Sequence, residues 1–301
     1  MAAGRFAPSP SGPLHVGNLR TALLAWLFAR SAGSRFLLRV EDLDPVTSSA
    51  EHEAGQLADL TALGIEWDRP VVRQSARRAA HEAAIATLVA QGLTYPCFCS
   101  RREVREASAA PHVVPGAYPG TCRNLSADES AARAAEGRPA ALRLRASGEL
   151  VTVVDRVHGP VTRPTDDIVL RRNDGVPAYH VAVVVDDDDA GVEEVVRGDD
   201  PLAATPSQPH LLDLLGRRRP HWAHVPLVLG PDGDRLAKRH GAVTLADLAQ
   251  VGIAPDEVRS RLAVSLGLAS AGEVVDGAHL LDRFDPDALP AEPLVIERPW
   301  S

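Results

Sequence analysis

The chain has 301 residues, 45% of them hydrophobic and 24% charged, with a formal net charge of −8. That is ordinary for a soluble globular protein of one large domain or two modest ones, and it argues against indiscriminate nucleic-acid binding without excluding a local basic face. No apolar run approaches the roughly 20 residues of a membrane span, and the N-terminus lacks the basic and apolar regions of a secretory signal, so a cytoplasmic location is expected.

Residues 4–18 read Gly-Arg-Phe-Ala-Pro-Ser-Pro-Ser-Gly-Pro-Leu-His-Val-Gly-Asn. A short apolar start runs into a loop dense in Pro, Ser and Gly. A helix is predicted from near Val16 or Gly17, with Leu19, Leu23 and Leu27 at helical spacing and Gly33 placed to stop it. A strand, a Gly-rich turn and a helix N-terminus make an anion site, because unpaired N–H groups and the helix dipole point at one spot. His15 and Asn18 add side-chain donors within one turn. An ordinary strand-to-helix loop shares the same local pattern.

Ser34 to Val40 reads as a buried strand ending in Glu41-Asp42-Leu43-Asp44-Pro45. Ser48 and Glu51 have capping-box spacing for a helix to about Leu63. Strand, helix, strand and helix with near-continuous apolar strands predict an α/β protein with a Rossmann-like, doubly wound parallel sheet. Ligands of such sheets bind at the carboxyl ends of strands, where Glu41 sits. A helix over 75–91, closed by Gly92, comes next.

A loop-rich insert follows, and it holds all three cysteines of the chain, Cys97, Cys99 and Cys122. In a cytoplasmic protein this favours metal over disulfide, and three thiolates at this spacing can share one tetrahedral Zn²⁺. The fourth ligand is open among Tyr118, His112 and solvent; imidazole is the commoner chemistry. Ser126 and Glu129 then box the start of a helix to about Glu136. Ala140–Arg145 and Leu150–Asp155 read as an antiparallel hairpin, and Ile168–Arg171 as a short strand. Pro177-Ala178-Tyr179-His180 leads into the apolar run Val181–Val185. The acidic run Asp186–Asp189 reads as a solvated turn.

Residues 194–200 form a strand end with Arg197 on its lip. A helix over 208–215 and a strand over 225–229 precede a Gly- and Asp-rich loop that delivers Arg235 to His240. Helices are predicted over 245–250 and 255–266, with Pro255 in a first turn and Gly267 as a stop. The Pro-rich tail beyond Asp276 is expected to pack loosely. The arginine pairs Arg77-Arg78, Arg101-Arg102 and Arg171-Arg172, and the triplet Arg217–Arg219, read as solvated surface. Of 32 basic residues only Lys238 is a lysine. An ammonium is a compact point charge that a planar guanidinium does not mimic at a phosphate, which singles out Lys238 as a functional group.

Five segments carry a family resemblance in one order. They are Arg-Phe-Ala-Pro-Ser at 5–9, His-Val-Gly-Asn at 15–18, Leu-Arg-Val-Glu-Asp-Leu-Asp-Pro at 38–45, Val-Val-Arg-Gly-Asp-Asp at 195–200 and Arg-Leu-Ala-Lys-Arg at 235–239. The set resembles the glutamyl branch of class I aminoacyl-tRNA synthetases. The insert, Cys-x-Cys with Tyr-x-x-x-Cys, looks like its glutamyl-Q tRNA(Asp) sub-branch. Two departures stand out. Val16 and Asn18 replace the usual residues of the first signature, and Ala237 removes the serine hydroxyl of the second.

The resemblance implies a catalytic domain over 1–240, with a zinc-binding, acceptor-type insert at about 93–165, and a short helical subdomain over 241–301. It implies that too few residues follow Lys238 for an anticodon-reading domain. It implies ATP-dependent activation of L-glutamate and transfer to the queuosine base of tRNA(Asp). His15, Gly17, Asn18 and Lys238 become the catalytic set, with His15, Gly17 and Lys238 on ATP and its Mg²⁺. Arg5, Phe6, Ala7, Pro8, Ser9, Glu41, Tyr179 and Arg197 would receive glutamate. The family pattern makes Tyr118 the fourth ligand, with Cys97, Cys99 and Cys122, of one structural Zn²⁺. A monomer is expected. Competing readings are a minimal glutamyl-tRNA synthetase charging tRNA(Glu), a nucleotidyltransferase without an RNA substrate, and a zinc-stapled RNA-binding module without activity.

Overall fold

The first strand, β1 (Ala3–Phe6), is buried along its whole length and lies inside a seven-stranded sheet. The computed structural model describes residues 2–108, 117–236 and 243–296. From β1 the chain enters α1 (Val16–Ser31), β2 (Arg35–Val40), α2 (Ala50–Ala62) and β3 (Val72–Arg73). A 3₁₀ turn, Gln74–Arg77, opens α3 (Arg78–Ala90). Next come β4 (Thr94–Cys97), α4 (Arg101–Ser108), α5 (Ala127–Ala135) and β5 (Ala141–Leu144). Then follow β6 (Leu150–Asp155), β7 (Gly159–Pro164), β8 (Val169–Arg171), α6 (Tyr179–Ala190) and β9 (Val192–Gly198). The last elements are α7 (Ser207–Leu214), β10 (His221–Val225), β11 (Val228–Leu229), α8 (Leu245–Gln250), α9 (Pro255–Ser265), α10 (Gly277–Arg283) and β12 (Leu294–Val295).

The large sheet has the order β3-β2-β1-β9-β10-β6-β7. Every neighbouring pair in it is parallel except β6 with β7. The expected α/β architecture with a parallel central sheet is therefore present. A separate antiparallel sheet, β4-β5-β8, carries Cys97 at the end of β4. This corrects the hairpin reading: Ala141–Leu144 pairs with β4 and β8, while Leu150–Asp155 pairs with β7 and β10. Both segments alternate locally, and alternation does not name the partner strand.

Helix α1 is apolar nearly all round, because it is sandwiched between the sheet and the C-terminal helices in one core. Gly33 ends it with φ 63°, as expected. The second helix is capped one residue later than predicted. Ser49, not Ser48, accepts from the N–H groups of Glu51 and His52. The Ser126–Glu129 box forms as read, and Pro255 opens α9. The strand expected over 225–229 is broken at Pro226, so β10 ends at Val225 and β11 begins at Val228. The tail packs more firmly than expected: Leu280 is fully buried, Phe284 meets Phe28 edge-on at 5.2 Å, and β12 pairs with β11.

The acidic run is the main correction. Asp186–Asp189 continues α6 rather than turning in solvent, and Asp186 and Asp187 are buried. Asp187 accepts from Arg5 Nε at 3.2 Å and also pairs with Arg39. Asp186 meets Arg77 Nε at 2.7 Å and His81 Nε2 at 2.8 Å. Arg217 reaches Asp188 at 2.9 Å and Asp189 at 2.7 Å. Arg77 and Arg217 are thus internal ion-pair partners rather than a solvated face, and Arg171 likewise pairs with Glu82. Among the described residues no helix is long and apolar enough to cross a membrane.

Phe284→Ala should lower the unfolding free energy by about 3 kcal/mol in urea titrations, against less than about 0.5 for Val46→Ala, which is 90% exposed. Asp187→Ala strands two buried guanidiniums and should cost about 3–5 kcal/mol. Burial alone would raise the Asp187 carboxyl, but Arg39 and Arg5 outweigh it and hold it below the usual range. A carboxyl depressed by folding adds stability above its unfolded value of about 3.9 and loses it as pH falls through the folded value. Stability of the native chain should therefore fall below about pH 4 more steeply than that of Asp187→Asn. Equal slopes in acid titrations would contradict this.

Candidate active site

The carboxyl ends of β1, β2 and β9 converge on one cavity of about 470 Å³, walled on one side by the start of α1. Arg5, Phe6, Ala7, Pro8, Ser9, His15, Gly17, Asn18, Glu41, Tyr179 and Arg197 all line it. Eleven of the twelve residues expected at the glutamate and nucleotide sites are thereby brought together. The twelfth, Lys238, lies outside the described residues, as do Ala237 and the alternative metal ligand His112.

His15 is the N-cap of α1, a position sequence statistics give to Ser, Thr, Asp and Asn. Its Nδ1 accepts from the Asn18 N–H at 3.3 Å, and Asn18 Oδ1 accepts from the His15 N–H at 3.2 Å. With Nδ1 accepting, the neutral ring carries its proton on Nε2 and can donate there. Burial, then the Arg235 charge, pushes the His15 pKa down and favours that neutral form. The Val16 N–H is taken by Val243 O at 2.8 Å. The Gly17 N–H meets no acceptor among the described residues, which leaves a helix-terminal donor at the cavity wall. A Cβ at Gly17 would lie 3.0 Å from the His15 ring, so glycine keeps this corner open. Gln56 of α2 fixes the loop, donating to Ser9 O at 3.0 Å and Gly12 O at 2.7 Å.

The other half of the cavity is a charge constellation. Arg5 donates to Val196 O at 3.0 Å as well as to Asp187. Arg39 donates to Glu41 at 3.0 Å. Burial raises the Glu41 carboxyl above its usual value against the pull of Arg39. Arg197 donates from Nε to His224 at 3.0 Å, from Nη1 to Tyr179 OH at 3.1 Å and from Nη2 to Thr205 at 2.9 Å and Gln208 at 3.1 Å. Burial lowers the pKa of Arg197, yet a guanidinium stays charged. Three guanidiniums, of Arg5, Arg39 and Arg197, face two carboxylates, of Asp187 and Glu41. Among the described residues, one positive charge is left for a ligand. Arg235 and Asp200 pair at 3.1 Å on the cavity rim and cancel.

A second cluster lies in the insert. The sulfur atoms of Cys97, Cys99 and Cys122 are within 4.8 Å of one another, and those of Cys99 and Cys122 are 3.5 Å apart. The Tyr118 hydroxyl is 3.3 Å from Cys97 Sγ and 3.6 Å from Cys99 Sγ. Tetrahedral zinc with sulfur ligands at about 2.3 Å sets ligand atoms about 3.8 Å apart, so three thiols and this phenol fit one metal. Arg143 lies 3.7 Å over the Tyr118 ring.

Sequence reasoning did not single out Gln56, Arg39, Asp187, Thr205, Gln208, Asp155 or His224. Arg39 sits inside the Leu-Arg-Val-Glu segment, but no local signal marks the others.

The sequence profile described as tRNA synthetases class I (E and Q), catalytic domain, matches residues 2–279. The chain is 58% identical over 294 residues to the glutamyl-Q tRNA(Asp) synthetase of Nocardia farcinica, covering 98% of this chain and 93% of that one. It is 42% identical over 290 residues to a glutamate–tRNA ligase of Azorhizobium caulinodans, covering 94% of this chain and 60% of that one. A solved glutamate tRNA ligase from Elizabethkingia meningosepticum, in complex with its amino acid, superposes with a TM-score of 0.83 at 27% identity, over 98% of this chain and 66% of that one. The chain belongs to the class I tRNA synthetases of the glutamate and glutamine branch, and it is a ligase.

Proposed function

We propose that this ligase activates free L-glutamate with ATP and passes the glutamyl group to the queuosine base of tRNA(Asp). The observation that carries the amino-acid half is the one uncompensated positive charge that the described residues leave in the cavity, that of Arg197. Glutamate brings two carboxylates and one ammonium, a net charge of −1, and would complete the balance. Arg197, Arg5 and Ser9 would receive carboxylates, Glu41 the ammonium, and Tyr179 would add a hydroxyl and a wall. Phe6, Ala7 and Pro8 would shape the floor.

In the first step an oxygen of the α-carboxylate attacks the α-phosphorus of ATP. The bond to the bridging oxygen breaks, and pyrophosphate leaves. Such transfers depend on positioning and charge stabilisation more than on covalent chemistry. His15 through Nε2–H and Gly17 through its N–H would hold phosphate oxygens, Asn18 would keep His15 oriented, and Lys238 would neutralise charge on the leaving group. Mg²⁺ would accompany ATP. In the second step an acceptor hydroxyl attacks the glutamyl carbonyl carbon and AMP leaves. Support for queuosine as acceptor comes from the name of the 58% identical relative.

Cys97, Cys99, Cys122 and Tyr118 would hold one Zn²⁺ with no open position, which makes its contribution structural. The reading divides the chain into a catalytic part, 1–240, and a helical C-terminal part, 241–301. It takes every named residue from one chain, so it requires no second copy, and it places the reaction in the cytoplasm.

Arg197→Ala should lower glutamate-dependent ATP–pyrophosphate exchange by about 2–5 kcal/mol in kcat/KM while the melting temperature holds. Unchanged exchange would remove Arg197 from the site. Labelled glutamate should enter queuosine-containing tRNA(Asp) and not unmodified tRNA(Glu); the reverse result would identify a minimal glutamyl-tRNA synthetase. Protein purified without chelator should carry about one zinc per chain by elemental analysis, and Cys122→Ser should lose most of it.

A further inference from the structure

Every acceptor that Arg197 meets is neutral: an imidazole, a phenol, a hydroxyl and an amide oxygen. No carboxylate pairs with it among the described residues. Arg197 is half-buried, and a guanidinium partly withdrawn from water without a counter-charge is costly. What orients it is therefore informative.

Arg197 on β9 stands directly opposite His224 on β10 in the parallel register. Nδ1 of His224 lies 2.6 Å from Asp155 Oδ2 at the end of β6, the next strand over. His224 is fully buried and Asp155 is 2% exposed. For Nε2 to accept from Arg197 Nε, the ring proton must sit on Nδ1 and be donated to Asp155. Asp155 also accepts the backbone N–H groups of His224 at 3.1 Å, Val157 at 3.0 Å and His158 at 3.0 Å, which immobilises it. Three adjacent strands thus present Asp155, His224 and Arg197 in a row that ends at the cavity.

We propose that His224, locked in one tautomer by Asp155, is a positioning residue that aims the Arg197 guanidinium into the cavity without neutralising it. A carboxylate in direct contact would orient Arg197 equally well, but it would cancel the charge that a ligand carboxylate is to meet. An interposed imidazole separates the two tasks. The carboxylate fixes the ring, and the ring offers Arg197 only a lone pair. Burial and the Arg197 charge keep the imidazole neutral by pushing the His224 pKa down, against the pull of Asp155.

The proposal rests on the reading that Arg197 receives a carboxylate of glutamate, and one experiment separates the two. KM for glutamate and KM for ATP are measured in ATP–pyrophosphate exchange for Arg197→Ala, His224→Leu, His224→Gln and His224→Glu. The rise in melting temperature on adding glutamate without ATP is recorded in parallel. His224→Leu should raise the glutamate KM about tenfold or more with the ATP KM within about twofold. His224→Gln, which restores a neutral acceptor, should recover most of the loss. His224→Glu, an acceptor that carries charge, should do no better than Leu. An unmoved glutamate KM in His224→Leu, a Gln variant as poor as Leu, or an ATP KM rising in step would overturn the positioning role. Should the Leu variant not fold, a Glu variant as good as Gln is enough to overturn it. An Arg197→Ala protein that still binds glutamate normally would instead overturn the reading beneath.

Discussion

The structure depends on one buried carboxylate shared by two guanidiniums. Asp187 on α6 bonds Arg5 from β1 and Arg39 from β2, which sit on neighbouring parallel strands. This contact extends into the acidic end of α6 the burial begun by Val181–Val185. It also takes up one of the three positive charges behind the cavity. Arg39 is further engaged by Glu41, and Arg5 by the Val196 carbonyl. Without Asp187 the sheet ends would carry two buried, mutually repelling cations with only Glu41 to offset them.

The chemistry follows from what that contact leaves over. With Asp187 and Glu41 committed, the remaining charge belongs to Arg197, whose partners are all uncharged. A ligand with net charge −1 balances the site, and one that also carries an ammonium can use Glu41. The opposite wall, built from the capped start of α1, offers donors suited to phosphate oxygens. Two binding halves in one cavity suit a reaction that joins an amino acid to a nucleotide. Membership of the class I glutamate and glutamine synthetases, established by the match over residues 2–279, agrees with that arrangement.

The sequence made local features legible and left distant ones hidden. The β1-α1-β2 unit, the glycine stop at Gly33, the Ser126 box and the Pro255 helix start each rest on signals within a few residues of one another. Arg5, Glu41 and Arg197 lie in the family motifs and Tyr179 joins them as an expected wall of a glutamate pocket; one cavity does collect all four. Asp186–Asp189 misled because a run of four acids looks solvent-facing, while the arginines that bury it lie as far as 182 residues away. The hairpin over 140–155 misled for a related reason: strand alternation shows which residues face inward, not which strand is the neighbour. His15 is hidden as a cap by its residue type, and the Asp155–His224 pair behind Arg197 leaves no mark in sequence spacing. The pair is set by the register of β6, β9 and β10.

Calorimetric titration of the nucleotide-free protein with L-glutamate and with L-glutamine at pH 7 tests the charge balance most directly. The two ligands have nearly the same shape and differ by one charge. If the cavity holds one uncompensated cation, glutamate should bind about a hundredfold more tightly. Equal affinities would contradict the account.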